Sequence, residues 1–250
     1  MIPLKDYNPT KSAPIITVLL IITCVGVYFG FQQQGDQNEF TYRRAAVPCE
    51  VVTGQPMTEE EIVTGDCTRR DTEDPVFPAK SAVLAVLTSM FLHGGFMHLA
   101  GNMLYLWVFG NNIEDTMGKL VYLLFYLAAG IVATLTHVAL DPGSTIPLVG
   151  ASGAIAGVMG AYLVLFPRVQ IRSLIVFFLI LFRDIQARWL LGIWFVMQFF
   201  IGQDSGVAWA AHVGGFVFGV LAGFVWKARG AGRPDGGGFR PRYANQPPYA

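Results

Sequence analysis

Apolar residues run along this chain in long stretches separated by polar segments, the pattern of a protein that crosses a membrane several times. The first run, 14–32, follows a short tail, 1–13, carrying Lys5 and Lys11. It lacks a convincing small-x-small cleavage site and further runs follow, so it reads as a retained helix and not a signal peptide. Further spans are expected at about 83–109, 119–139, 152–166, 187–202 and 207–226. Between the first two lies a polar segment, about 34–81, with Pro48, Pro56, Pro75 and Pro78 and the acidic run Glu59-Glu60-Glu61. It is long enough for a small folded loop. The stretch 171–186 has an apolar centre, Leu174 to Phe182, framed by Arg172 and Arg183. A span needs about 20 residues, so this segment is expected to be interfacial or re-entrant. The tail 228–250 is rich in Gly, Pro and Arg and reads as disordered. The fold expected is an all-α membrane protein: six helices within 14–227 and an extended polar first outer loop.

Charge sets the orientation. The segment 34–81 holds ten acidic and five basic residues, while the rest holds seven acidic and twelve basic. Six spans place both termini on one side. With that side cytoplasmic, Lys119, Arg168, Arg172, Arg183, Arg188 and Lys227 join the two tails inside, as the positive-inside rule requires. The acidic loop then faces outward, where Cys49 and Cys67 can form a disulfide or remain free thiols. Cys24, within an apolar run, reads as inert packing.

Composition agrees. Hydrophobic residues make up 53% and charged residues 14% of 250, against about 25% charged in soluble domains. The formal net charge is zero, which argues against a nucleic-acid binder.

Polar groups at membrane depth are costly and mark candidate chemistry. His93, His98 and Asn102 lie in the second span within HGGFMHLAGN, Ser152 opens the fourth within GASG, and His212 opens the sixth within AHVGGFVFG. Taken singly, a membrane Ser usually bonds back to its own helix and a membrane His usually packs. Together they suggest acyl transfer. A Ser at a helix start sits beside free N–H groups and the positive dipole end. A His can take its proton. His98 and Asn102, four apart on one helix face, can donate to an oxyanion. The fourth span, about 15 residues, rises roughly 22 Å at 1.5 Å per residue, less than the roughly 30 Å hydrocarbon core. Ser152 would therefore lie below the outer surface, beneath the loop 140–150 and beside a wet cavity. Gly153, Gly157 and Gly160 on the fourth span and Gly215, Gly219 and Gly223 on the sixth repeat at spacings that allow close helix approach. Pairing of those faces would bring His212 to Ser152.

In HGGFMHLAGN, GASG and AHVGGFVFG, in that order across about residues 85–225, the sequence resembles the rhomboid family of intramembrane serine proteases. The resemblance implies a six-helix fold and a Ser–His dyad without a third acid, cleaving membrane-anchored proteins within or near their transmembrane segments. By position, Ser152 matches the nucleophile and His212 the general base. His98 and Asn102 match the oxyanion-stabilising pair, joined by the Ser152 N–H. Gly150 matches the small residue that keeps the nucleophile loop tight. Gly215 and Gly219 match the close-packing glycines, with Gly153 also shaping the site. Glu114 matches a structural polar residue, and His93 matches no catalytic role but can order the start of the second span. Gating is implied beside the fifth span and at the loop 202–207, a region containing Trp194, Met197, Phe199, Phe200, Gly202 and Trp209. Many rhomboids carry Trp-Arg in the first outer loop, whereas this one has Tyr42-Arg43, so substrate preference does not transfer.

The expected partners are transmembrane protein substrates and the lipid bilayer, with no cofactor, metal or nucleic acid. The expected location is the inner membrane of a bacterial cell, and the oligomeric state is left open. The reading requires a neutral His212 and so implies activity lost on acidification. The main competitor is a non-catalytic relative acting as chaperone or sorting factor. A transporter is disfavoured by the lack of internal repeats and of deep charges. A metal site from His93, His98, His137 and His212 is disfavoured by the lack of a carboxylate or Cys at ligand spacing.

Overall fold

A computed structural model describes residues 1–68, 74–176, 180–200 and 207–230. The first apolar run forms α1, Ile15–Val27, continued by a π-helical turn, Tyr28–Gln32. No side chain of its own caps α1 at Pro14, so its first-turn N–H groups need acceptors from elsewhere. Glu114 supplies them. Its carboxylate accepts from the Ile16 and Thr17 N–H groups at 3.0 and 2.8 Å and from Thr17 Oγ1 at 2.8 Å. Negative charge at a helix N-terminus also meets the positive end of the macrodipole. Glu114 is thus fixed as a structural group of the inner packing.

The polar segment folds into three short helices: α2, Gln37–Arg44; α3, Pro48–Thr53; and α4, Glu59–Thr64. Cys49 and Cys67 are joined by a disulfide. Thr58 and Glu61 form a reciprocal capping box at the start of α4. Glu50 and Lys80 form a buried ion pair, and Lys80 also donates to the Tyr42 carbonyl at 2.5 Å. Burial pushes the Glu50 carboxyl up and the Lys80 ammonium down from their usual ranges.

The expected second span is broken. Helix α5, Ala82–Thr88, and a 3-10 turn, Ser89–Phe91, meet α6, Phe96–Met117, at 80°. The break falls at Leu92–Gly95, where adjacent glycines weaken helix continuation; α6 restarts after Gly95. The second helix therefore runs to 117 and not 109, because its polar end is used against α1. Helix α7, Lys119–Leu140, follows immediately after Gly118, whose φ of +80° suits glycine. Helix α8, Ser152–Leu165, is short and almost wholly buried, α9 spans Ala187–Gln198, and α10 spans Trp209–Ala228. Among the described residues, three helices are long and apolar enough to cross a membrane alone: Ile15–Gln32, α7 and α10. The bent α5–α6 pair makes a fourth if counted as one span.

The all-α expectation needs correction. Strands β1, Ile2–Asp6, β2, Gln170–Val176, and β3, Ile180–Gln186, form an antiparallel sheet in the order β1-β2-β3. Within the awkward segment 171–186 the described residues form the two antiparallel strands β2 and β3, and the N-terminal tail supplies the third strand. The physical reason lies in the composition: Ile171, Ile175, Val176, Ile180 and Phe182 are strand formers, and the run is too short to span. Cross-strand Arg172 and Asp184 pair at 2.8 Å.

Packing is closest between α8 and α10. A Cβ built on Gly219 would lie 1.9 Å from the Gly157 carbonyl oxygen, and one on Gly215 would lie 2.0 Å from that of Gly153. On the other side of α8, a Cβ on Gly153 or Gly157 would meet Ala133 or Ala129 of α7 at 2.6 Å. These helices approach closely because glycines line the α8–α10 seam and glycines face alanines across the α7–α8 seam.

Candidate active site

Ser152 is the first residue of α8, after Ala151 at the N-cap and Gly150. Gly150 has φ +125°, and a Cβ there would meet His98 Nε2 at 2.8 Å and Asn102 Nδ2 at 3.5 Å. Conformation and space therefore both demand glycine. The loop before Ser152 is held by main-chain bonds: Gly150 N–H donates to the Ser89 carbonyl at 3.0 Å, and Leu148 N–H donates to that of Ala46 at 2.8 Å. Ser89 Oγ in turn accepts from the Ala46 N–H at 2.7 Å. The polar segment and the α5 end thus fix the position of Ser152.

The glycine seam brings α10 against α8 so that His212 Nε2 lies 2.9 Å from Ser152 Oγ. Both side chains are half-buried. His98 and Asn102 approach from α6 on the other side of Gly150. The Gly94 N–H donates to His98 Nδ1 at 3.4 Å. That leaves the His98 proton on Nε2, the nitrogen facing Gly150. Asn102 Nδ2 is buried without a protein partner. A cavity of about 30 Å³ lies beside Ser152, between Gly150, Gly153, Met90, Ala133 and Ala211.

His93 stays out of this cluster but steadies it. Its ring meets that of His98 edge-on at 5.3 Å. Its main chain is clasped by Gln32, which accepts from His93 N–H at 2.9 Å and donates to the His93 carbonyl at 3.1 Å. Gln32 and Ser89 were not singled out from the sequence, because their partners lie tens of residues away.

A larger omission is Gln198. Its Oε1 lies 2.7 Å from His212 Nδ1, and its Nε2 donates to the Trp194 carbonyl at 2.9 Å. The available signal was an amide inside the apolar run of α9. Of the aromatic residues expected near a gate, Trp194 turns inward onto His212, with ring centroids 5.7 Å apart. Met197, Phe199 and Phe200 are exposed. Gly202, most of the loop 202–207 and the tail 231–250 lie outside the described residues.

The donors suit a cation poorly. Cys49, Glu61 and Cys67 bring ligand atoms within 4.8 Å of one another, but the two sulfurs are bonded together, which leaves no thiolate to bind.

A family model described as the Rhomboid domain matches residues 80–229. The chain belongs to the rhomboid family. This rhomboid is an integral membrane protein, and its family includes serine proteases. It is 31% identical over 158 residues to RHOMBOID-like protein 5 of Arabidopsis thaliana, covering 63% of this chain and 47% of that protein. It is 45% identical over 78 residues to Rhomboid protease GluP of Bacillus subtilis (strain 168), covering 31% of this chain and 15% of that protein. It is 30% identical over 153 residues to Rhomboid protein 1, mitochondrial, of Saccharomyces cerevisiae, covering 58% and 42%. The matched stretch is thus less than half the length of each relative.

Proposed function

We propose that this rhomboid is an intramembrane serine endopeptidase that cleaves membrane-anchored proteins within or near their transmembrane segments. The observation that carries the reading is the 2.9 Å contact between Ser152 Oγ and His212 Nε2 at the head of a buried helix. Ser152 Oγ attacks the scissile carbonyl carbon while its proton passes to His212 Nε2. The oxyanion takes hydrogen bonds from Asn102 Nδ2, His98 Nε2 and the Ser152 N–H, a first-turn group with no intrahelical acceptor. Collapse breaks the C–N bond, and His212 returns the proton to the leaving amine. His212 then deprotonates a water that attacks the acyl ester, and Ser152 leaves with the proton. The small cavity beside Ser152 favours small side chains next to the cleaved bond. A substrate helix must unwind there, since its peptide carbonyls are otherwise occupied.

The proposed setting is six spans in a bacterial inner membrane, with α8 and α9 as short crossings and both termini cytoplasmic. The asymmetry of Lys and Arg supports that orientation. The disulfide-bonded acidic segment would then face an oxidising compartment.

Labelling of the purified protein in detergent by a fluorophosphonate probe tests the reading without a known substrate. Wild type is expected to label, and Ser152→Ala and His212→Ala are not. Equal absence of labelling in all three, with folding confirmed, would favour a non-catalytic relative instead.

A further inference from the structure

The side of His212 that faces away from Ser152 is also occupied. Its Nδ1 lies 2.7 Å from Oε1 of Gln198, the last residue of α9. A glutamine amide can meet an imidazole in two senses, because it carries an acceptor oxygen and a donor NH2. The other end of the same amide decides between them. Nε2 of Gln198 stands 2.9 Å from the Trp194 carbonyl, a group that can only accept. The NH2 therefore faces Trp194 and the oxygen faces His212. It follows that His212 Nδ1 carries the ring proton and donates it to Gln198. Nε2, 2.9 Å from Ser152 Oγ, is left as a bare acceptor. That is the tautomer in which His212 can receive the serine proton; the opposite one would present N–H to Ser152. Gln198 is only 4% exposed, so water does not compete for the bond. The Trp194 ring beside the imidazole limits its rotation.

We infer that Gln198 is a positioning residue of the catalytic site, setting the tautomer and ring orientation of His212 from the neighbouring helix. The inference rests on the serine-protease reading for its catalytic consequence, while the tautomer itself follows from the hydrogen bonds. A neutral amide does here what a carboxylate does in a Ser-His-Asp arrangement, holding Nδ1–H. It does so without burying a charge, which membrane depth makes costly.

The test uses full-length protein labelled with ring-15N histidine in detergent, whose nitrogen signals separate protonated from bare positions. His212→Ala assigns the His212 signals among the chain's four histidines. Wild type is expected to show His212 protonated on Nδ1 and bare on Nε2. Gln198→Met, close in volume and with only a weakly accepting thioether in place of the amide oxygen, is expected to mix the tautomers and lower the fluorophosphonate labelling rate about tenfold. Gln198→Glu, which offers an acceptor oxygen in either protonation state, is expected to restore the single tautomer and most of the rate. A wild-type His212 protonated on Nε2 overturns the inference. So does a Gln198→Met variant with unchanged tautomer and rate. The wild-type spectrum and Gln198→Glu carry the test if Gln198→Met does not fold. Absence of labelling in wild type, with the expected tautomer present, overturns the protease reading alone and leaves the Gln198–His212 bond standing.

Discussion

At the scale of single residues, Asn102 gives the sharpest test of the oxyanion site. Buried donors in folded proteins almost always have partners, yet Asn102 Nδ2 has none within the protein. A donor left open beside a candidate nucleophile is what an oxyanion site requires, since its acceptor forms only as charge develops. Asn102→Ala is therefore expected to slow fluorophosphonate labelling by about 10²–10³ with little loss of thermal stability, because no hydrogen bond from Nδ2 to another protein group is lost. A fall in melting temperature with an unchanged labelling rate would instead make Asn102 a packing residue. Ser152, His212, His98 and Asn102 were legible as candidates because their residue types stand out within apolar runs of the sequence. Gln198 was equally out of place. It was passed over because its neighbours Trp194, Met197, Phe199 and Phe200 invited a reading by bulk and not by hydrogen bonding.

At the scale of elements, the site depends on two helices meeting without side chains. Gly157, Gly215 and Gly219 stood out by spacing alone, and the structure puts the α8 and α10 backbones in contact there. A methyl group on Gly219 would lie 1.9 Å from the Gly157 carbonyl oxygen, so the helices must separate to admit it. Gly219→Ala is expected to cost about 1–3 kcal/mol, the usual range for overpacking, and to slow labelling by stretching the Ser152–His212 contact. Gly192→Ala on α9, where a Cβ meets nothing within 4 Å, is the control and is expected to hold or slightly raise melting temperature, since Ala is the better helix former. Equal melting temperatures and labelling rates for Gly219→Ala and wild type would count against a seam that sets the catalytic distance. Other features of the elements escaped the sequence. The bend at Leu92–Gly95 was passed over although His93-Gly94-Gly95 interrupts the apolar run, since hydropathy averaged over a span carries no information on direction. The paired strands β2 and β3 were recognised only as a segment too short to span, because the third strand of their sheet comes from the other end of the chain.

At the scale of the whole molecule, that third strand ties the N-terminus to the helices that carry the site. Asp6, on β1, accepts from Asn112 Nδ2 of α6 at 2.5 Å and from the Tyr162 hydroxyl of α8 at 2.9 Å. Asn102 and Ser152 stand on these same two helices. Asp6 is buried, and desolvation lifts its carboxyl from 3.8 to about 6 despite both hydrogen bonds. Burial therefore favours the neutral acid in the folded protein. The sign follows from linkage: where the folded pKa is the higher one, the contribution to stability is fully present below about 3.8. It is lost as pH rises through about 6. A shift of about two units corresponds to at most about 3 kcal/mol. Asp6→Asn keeps an acceptor oxygen for Asn112 and Tyr162 and removes the charge. The variant is expected to match wild type in melting temperature near pH 4, to gain on it as pH rises and to hold a constant lead above about pH 6. Differential scanning fluorimetry in detergent across that range measures the gap. A gap independent of pH would mean that the pKa of Asp6 does not change on folding.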